Sequence, residues 1–347
     1  MKIALITDAW HPQINGVVTT LSTIASQLRT FGHEVELFTP DQYQNWPCPT
    51  YPEIRLALFC RNKTRSRLDE FKPQAIHIAT EGPLGLAARN YCLSRSIPFS
   101  TSFHTLFAEY VNLRTGIPVS WGYRFLAWFH NAGIRTMVAT PTLVEQLSTR
   151  GFKKSVLWSR GVDTDLFCPR QRGKLGAGGP KLLYVGRVAI EKNIESFLSL
   201  KTEGVKYVIG DGPQRAALEQ KYPDTIFLGY KTGVDLAEHV ADADVFVFPS
   251  RTDTFGLVML EALAAGVPVA AYPVQGPLDV ILDENIGCLH EDLAVAVQNA
   301  LTKDRNACRG YALKHSWESC ARLFESHLEP FDPHVKIKAR GDKGAKP

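Results

Sequence analysis

No stretch of this chain stays apolar for the roughly 20 residues that a bilayer-spanning helix needs. Its start, Met1-Lys2-Ile-Ala-Leu-Ile6, runs straight into strand-like sequence without a charged leader, an apolar segment and a cleavage site. The expectation is therefore no signal peptide. Cysteine is sparse and unpaired in pattern: Cys48, Cys60, Cys92, Cys168, Cys288, Cys308 and Cys320 are odd in number and never spaced Cys-x-x-Cys. That argues against a disulfide framework or a cysteine zinc site and fits a reducing cytosol. Charge is also withheld in one place. Between Asp253 and Asp279 the only formally charged side chain is Glu261, set in an apolar, helix-forming run.

At 347 residues the chain exceeds one ordinary domain and suits two of about 150 residues each. With 45% hydrophobic and 21% charged residues it has the composition of a globular protein with two cores. The net charge of +4 is unevenly spread. Residues 1–170 carry 18 Lys/Arg against 12 Asp/Glu, and residues 171–330 carry 16 against 21. A basic first half beside an acidic second half predicts that one domain faces an anionic surface. Lipid and nucleic acid both satisfy that charge, but no nucleic-acid recognition motif accompanies it. Ordinary surface variation is the plain alternative.

Short apolar runs alternate with helical periodicity. Residues 3–7, 34–38, 75–78 and 99–101 predict strands, with helices over 17–29 and 84–95. After a glycine-rich polar stretch the pattern restarts, and 182–185, 207–209, 226–228, 245–248 and 267–271 read as buried strands separated by helices. This grammar predicts an α/β protein of two Rossmann-like, doubly wound parallel sheets. The expected division is a first domain over 1–168, a linker over 169–180 and a second domain over 181–315. An amphipathic helix over 316–331 and a basic, apolar-poor tail over 332–347 then follow. Such sheets bind ligands at the carboxyl ends of their strands, so two facing sheets predict a site in a central cleft.

A carboxylate inside an apolar helix, as at Glu261, must find partners or hold a proton. Asp253 lies eight residues earlier, beside the turn Thr254-Phe255-Gly256 expected to open the helix. Two carboxylates and the free N–H groups of a helix start suit hydroxyls and phosphates together, as in a nucleotide sugar. Gly186-Arg187-Val-Ala-Ile-Glu191-Lys192-Asn193 follows the first strand of the second half. Arg187 and Lys192 predict a cationic clamp for a diphosphate, able to meet the charge on a departing nucleoside diphosphate. Ile209-Gly210-Asp211-Gly212-Pro213 strengthens this reading.

In the first half, His11-Pro12-Gln13-Ile-Asn15-Gly16-Val17 joins strand one to helix one. Gly16 allows close backbone approach to an anion, and a plain tight turn is an equal reading. His104, in Ser102-Phe-His-Thr105, sits just past a strand end, where both a sugar contact and a structural role are open. The strings Asp163-Thr-Asp165 and Asp242-Ala-Asp244 carry metal-site spacing but read as loop and cap residues, so no metal site is expected. Residues 114–135 interleave Trp121, Tyr123, Phe125, Trp128 and Phe129 with Arg124, His130 and Arg135, as a helix at a lipid interface does. Part of that set fits a core equally well. Arg61, Lys63, Arg65 and Arg67 add a basic cluster upstream.

Together these segments resemble the retaining glycosyltransferases of the two-Rossmann-domain (GT-B) fold, in the large family of bacterial mannosyltransferases and glycolipid synthases. The resemblance runs from Asp8-Ala-Trp-His-Pro-Gln-Ile-Asn-Gly16 to the helix at Trp317. Its most specific part is the acid-x7-Glu motif, Asp253 to Glu261. Ser159-Arg-Gly-Val-Asp-Thr-Asp-Leu-Phe167 and Tyr184-Val-Gly-Arg-Val-Ala-Ile-Glu-Lys192 also match its signatures. His77-Ile-Ala-Thr-Glu-Gly-Pro-Leu-Gly85 is similar to the lipid-directed members.

The resemblance implies that Glu261 binds the donor ribose, while Asp253 and the Phe255-Gly256-Leu257 backbone hold the donor sugar. It implies that Arg187 and Lys192 clamp the diphosphate and that the Asn15-Gly16-Val17 loop closes on the donor. His104 would lie near the donor sugar, and the C-terminal helix would cross back to the first domain. Family members commonly carry Glu at the first acid. The shorter Asp253 sets its carboxylate about one methylene further back and bears on which sugar it meets. The implied activity is transfer of a hexosyl group from UDP-glucose, UDP-glucuronate or GDP-mannose to a membrane lipid such as diacylglycerol, with retention and without metal or cofactor. The implied setting is peripheral, on the cytoplasmic face of the plasma membrane. A soluble sugar or polysaccharide acceptor, a nucleotide-sugar epimerase and a binding protein without turnover are the competing readings. No side chain stands out as a nucleophile for double displacement.

Overall fold

Runs of four or five apolar residues, too short for helices and covered on both faces, become the parallel strands of two separate sheets. The computed structural model describes the chain except residues 14, 49, 50, 177, 254 and 334–347, together with the side chains of 51–53 and 113–114. Thr254 and the basic part of the expected tail thus lie outside the described residues. By contacts the chain forms two units, one of Met1–Ser159 with the chain from Cys320 onward, the other of Arg160–Ser319.

The first unit runs β1 (Lys2–Ile6), α1 (Gly16–Thr30), β2 (Glu34–Phe38), β3 (Asn45–Cys48), β4 (Tyr51–Ala57), α2 (Cys60–Phe71) and β5 (Ala75–Ile78). It continues with α3 (Pro83–Arg95), β6 (Ser100–Phe103), α4 (Phe107–Thr115), α5 (Val119–His130), β7 (Arg135–Val138), α6 (Pro141–Thr149) and β8 (Ser155–Leu157). The sheet order is β2-β1-β5-β6-β7-β8, all parallel, with β3 and β4 a separate antiparallel pair. Ile6, Phe38, Ile76, Ile78, Leu84 and Phe99 pack on one face, and Phe103, Leu126, Val138 and Leu143 on another.

The second unit runs β9 (Lys181–Val185), α7 (Ile194–Leu198), β10 (Val205–Ile209), α8 (Arg215–Lys221), β11 (Ile226–Gly229), α9 (Gly233–Asp242) and β12 (Val245–Phe248). Then come α10 (Leu257–Ala264), β13 (Val269–Ala271), α11 (Pro277–Val280), β14 (Gly287–Leu289), α12 (Leu293–Ala300), α13 (Arg305–Ala312) and α14 (Trp317–His327). Its parallel order is β11-β10-β9-β12-β13-β14. The glycine-rich stretch after Phe167 belongs to this unit. Asp242, fully buried, accepts a 2.6 Å bond from the Leu175 N–H, and Arg172 reaches both Asp242 and Asp244.

From Cys320 on, α14 is part of the first unit. Phe324 is buried against Trp158 and His77, Trp158 Nε1–H donates to the Cys320 carbonyl at 3.2 Å, and His33 bonds Glu325 at 2.8 Å. The helix therefore crosses back to the domain where the chain began.

Candidate active site

Strand order reverses direction at β9 in the second unit. The chain steps outward through β10 and β11, then returns to place β12 on the other side of β9. Loops leaving the C-terminal ends of β9 and β12 must therefore diverge, and the crevice between them is where a doubly wound sheet takes its ligand. The loop after β9 carries Arg187 and ends in a single 3-10 turn, Ile190–Lys192, which Asn193 stops in a left-handed conformation. The loop after β12 carries Asp253. Two bonds tie the loops together: Asn193 Nδ2–H to the Pro249 carbonyl at 3.0 Å, and Thr252 Oγ1–H to the Glu191 carbonyl at 3.1 Å. The loop after β10 locks in from the far side. A Cβ on Gly210 (φ 138°) would fall 1.9 Å from the Gly186 carbonyl oxygen, so only glycine fits there.

Within this frame Lys192 Nζ donates to Asp253 Oδ1 at 2.5 Å, with both side chains mostly buried. Asp253 Oδ2 is buried and has no hydrogen-bond partner among the described residues. A carboxylate oxygen so placed lacks the donor it needs, and a hydroxyl from a ligand supplies one. Gly256, with φ 83°, closes the loop as the cap of α10, and Leu257 begins that helix. Glu261 lies one turn further along. Burial pushes its carboxyl up to about 7, and among the described residues no cation or N–H offsets it. Arg187 stands at the end of β9, its carbonyl accepting from the Tyr184 hydroxyl at 2.8 Å. The loops after β9 and β12 thus bring a cation, Lys192, against a half-satisfied carboxylate, Asp253, and a desolvated acid, Glu261, follows in α10.

Sequence reasoning missed the third wall. Gln275 and Gly276 follow β13, and a Cβ on Gly276 would come within 2.9 Å of the Asp253 carbonyl oxygen. Gln275 Nε2 and Ser250 Oγ are, like Asp253 Oδ2, buried without a partner among the described residues. Their signal was position only: each leaves a strand end beside the switch point.

In the first unit the equivalent reversal lies between β1 and β5. Asn15 caps α1, its Oδ1 accepting from the Val17 and Val18 N–H groups at 3.0 and 3.1 Å. Its side-chain oxygen is thus used to hold the start of the helix. Asp8, not expected as a key residue, accepts from the Leu84 and Gly85 N–H groups at 2.8 and 3.2 Å and from Thr80 Oγ1–H at 2.9 Å. Burial raises its carboxyl to about 6 against those bonds. His104 follows β6 and bonds Ser102 Oγ through Nε2 at 2.7 Å.

Both Asp-x-Asp strings serve local structure. Asp163 Oδ1 accepts the Asp165 and Leu166 N–H groups, and Asp244 accepts the Lys181 N–H at 2.8 Å. The aromatic stretch divides by face. Tyr123, Leu126, Phe129 and His130 are buried, while Trp121, Phe125 and Trp128, at helical spacing on α5, are exposed.

Two Rossmann-like units, one with Lys192 and Asp253 paired beside its switch point, have the plan of a nucleotide-sugar-dependent transferase. Comparison with known proteins gives the particular kind. Residues 14–166 match the family described as Glycosyltransferase Family 4, and residues 179–303 match Glycosyl transferases group 1. The two matches span most of the chain, which belongs to this family of glycosyltransferases, a hexosyltransferase of GT-B fold. It is 29% identical over 318 residues to a GDP-mannose-dependent alpha-mannosyltransferase of Mycobacterium tuberculosis, covering 83% of each chain. It is also 29% identical to the alpha-monoglucosyldiacylglycerol synthase of Streptococcus pneumoniae, over 96% of this chain and 84% of that one. In fold it matches sucrose-phosphate synthase of Thermosynechococcus elongatus with a TM-score of 0.75 at 22% identity, covering 94% and 97% of the two chains.

Proposed function

We propose that this enzyme moves a hexosyl group from UDP-glucose, UDP-glucuronate or GDP-mannose to a membrane lipid, diacylglycerol, with retention of configuration and without a divalent metal. The observation that carries the donor half is the Lys192–Asp253 contact beside the unpartnered Asp253 Oδ2 and the desolvated Glu261. Glu261 takes the ribose hydroxyls, and Asp253 Oδ2 with the Phe255–Leu257 backbone takes the sugar. Arg187 and Lys192 meet the diphosphate, and the Asn15-Gly16-Val17 loop and His104 are the first unit's own candidates for contact with the donor. The bond from the anomeric carbon to the diphosphate oxygen breaks while the acceptor hydroxyl oxygen bonds that carbon from the same face. The hydroxyl proton passes to the departing phosphate, whose charge the two cations stabilise.

The lipid half rests on the surface of the first unit. Trp121, Phe125 and Trp128 line the open face of α5, and Phe59, 91% exposed, stands at the start of α2. Arg61, Lys63 and Arg65 of α2 are exposed, whereas Arg67 is held by Glu36 at 2.5 Å and lies over the Phe38 ring. Lys63 also donates to the Gln42 carbonyl and Arg65 lies 3.8 Å from Asp69, but both side chains stay exposed. Exposed aromatics and exposed cations on one unit suit an anionic leaflet, with each cation near it contributing about 1 kcal/mol. Among the described residues no helix is long and apolar enough to cross a membrane, so attachment would be peripheral, at the cytoplasmic face. Replacing Trp121 and Trp128 by Ser should cut binding to anionic vesicles in flotation at least tenfold without changing hydrolysis of the donor. Unchanged flotation would remove the membrane reading.

The decisive assay supplies each of the three donors with diacylglycerol vesicles, with and without EDTA, and reads the lipid extract by mass spectrometry. A glycolipid from one donor, formed equally in EDTA, is expected. Transfer only to soluble sugars would overturn the lipid acceptor, and activity lost in EDTA and restored by a divalent ion would overturn the metal-free step.

A further inference from the structure

Alternation along β6 puts Ser100, Ser102 and, just beyond the strand, His104 on one side of the sheet, while Thr101 and Phe103 face the other. The parallel register sets His77 of β5 directly beside Ser100. The result is a continuous chain of side chains. His77 Nδ1 lies 2.9 Å from Ser100 Oγ, His77 Nε2 lies 3.1 Å from Ser102 Oγ, and Ser102 Oγ lies 2.7 Å from His104 Nε2. His77, Ser100 and Ser102 are buried. Rings close the chain in: Trp158 meets His77 and His104 edge-on at 6.3 and 5.8 Å, and Phe324 meets His77 at 4.8 Å.

A serine hydroxyl has one proton to give. Ser102 is fully buried and, among the described residues, bonds only the two imidazoles. If it accepted from both rings, its own O–H would be buried without an acceptor, and it cannot donate to both. It must give to one ring and receive from the other, so one and only one of His77 Nε2 and His104 Nε2 carries a proton. The distances choose between the two. Hydroxyl donors make the shorter bonds and N–H donors the longer ones. The 2.7 Å contact is therefore Ser102 O–H giving to His104 Nε2, and the 3.1 Å contact is His77 Nε2–H giving to Ser102. Ser100 O–H then gives to His77 Nδ1.

We infer that His77, acting through Ser102, is a positioning residue that locks His104 as the neutral Nδ1–H tautomer. The lock is a property of the first unit alone. Its consequence for turnover rests on the reading of His104 as a donor-sugar contact. It also gives a task to the His77–Gly85 segment, whose resemblance to lipid-directed members left the histidine unexplained.

The test is the imidazole nitrogen spectrum of the full-length enzyme labelled with 15N at its ten histidines, with His104→Gln and His77→Gln supplying the assignments. Wild type should show His104 protonated at Nδ1 and His77 at Nε2, each as a single tautomer. His77→Gln keeps an N–H donor toward Ser102, so His104 should stay protonated at Nδ1. Ser102→Ala should release His104, moving it to the Nε2–H form or to an average of the two. A wild-type spectrum with His104 protonated at Nε2 or averaged would overturn the lock without any variant. So would a Ser102→Ala protein that folds and leaves the His104 signals in place. Turnover judges the other reading separately. Ser102→Ala, which breaks the lock, is expected to lower kcat about tenfold, and His77→Gln, which keeps it, less than threefold. A His104→Gln enzyme of full activity would remove His104 from the donor site while the lock stood.

Discussion

Lys192→Ala enzyme is expected to turn over its donor 100- to 1000-fold more slowly than wild type, the range seen when one fixed stabiliser of transition-state charge is removed. The ammonium group does two things at once. It holds Asp253 Oδ1 at 2.5 Å, and its positive charge would meet the oxygen of a departing diphosphate. Removing it would leave the largely buried Asp253 with neither oxygen partnered, since Oδ2 already lacks a partner among the described residues. The variant should therefore also lose stability, by roughly 1–3 kcal/mol. These two effects can be separated. Lys192→Ala with Asp253→Asn removes the stranded charge and should recover most of the melting temperature, but it cannot restore the missing cation, so turnover stays low. A single variant that keeps a third of wild-type kcat at saturating donor would show that Lys192 is a structural partner of Asp253 and no more.

Lys192 and Asp253 stand out in the sequence as separate candidates, one for the diphosphate and one for the sugar, and their contact with each other does not; charge draws notice because it is costly where the chain is apolar. Glu261 sits alone among Leu, Val, Met and Ala, and Arg187 and Lys192 follow a buried strand at a loop, where a bound anion is a sufficient reason for them. The strands were legible for the same cause. Glu34–Phe38, Ala75–Ile78 and Val245–Phe248 have the expected bounds because each is a short apolar run closed by turn or polar residues. Boundaries slipped where a residue's role is set by a neighbour in space. Val269–Ala271 starts two residues later than expected because Pro268 has no N–H for the ladder, although its carbonyl still accepts from Phe246. Ser100–Phe103 extends further than expected because its polar residues are buried against His77 and His130, partners that lie over 20 residues away in sequence. Asp8 and Gln275 were missed for that reason too. Each is an ordinary polar residue in sequence and gains meaning only from where a strand end places it.

Glu261 makes the second large prediction, and its sign follows from burial. The folded, ligand-free enzyme holds this carboxyl at about 7, above the ordinary glutamate value of 4.5, because the charged form is desolvated and unaided. A carboxyl raised on folding destabilises the fold as it ionises. The cost is absent below the unfolded value, grows as pH rises through the interval between the two, and is complete above about 7. Part of the residue's surface remains open, so the full cost is on the order of 2 kcal/mol. Glu261→Gln, which cannot ionise, should accordingly melt higher than wild type at pH 8 and nearly level with it at pH 5. Nucleotide binding should move the opposite way. Ribose hydroxyls donate to a carboxylate, so wild-type affinity for the nucleoside diphosphate should tighten as pH rises through about 7, with release of up to one proton on binding. The glutamine variant should bind 10- to 100-fold more weakly at pH 8, the loss of one charge-assisted pair of bonds. Calorimetry in two buffers of different ionisation enthalpy reads affinity and proton release together. A variant more stable at pH 8 yet poor at binding is what a residue kept for its ligand looks like. Equal affinity in the two proteins at pH 8 would instead leave Glu261 as a buried acid without a task at the ribose.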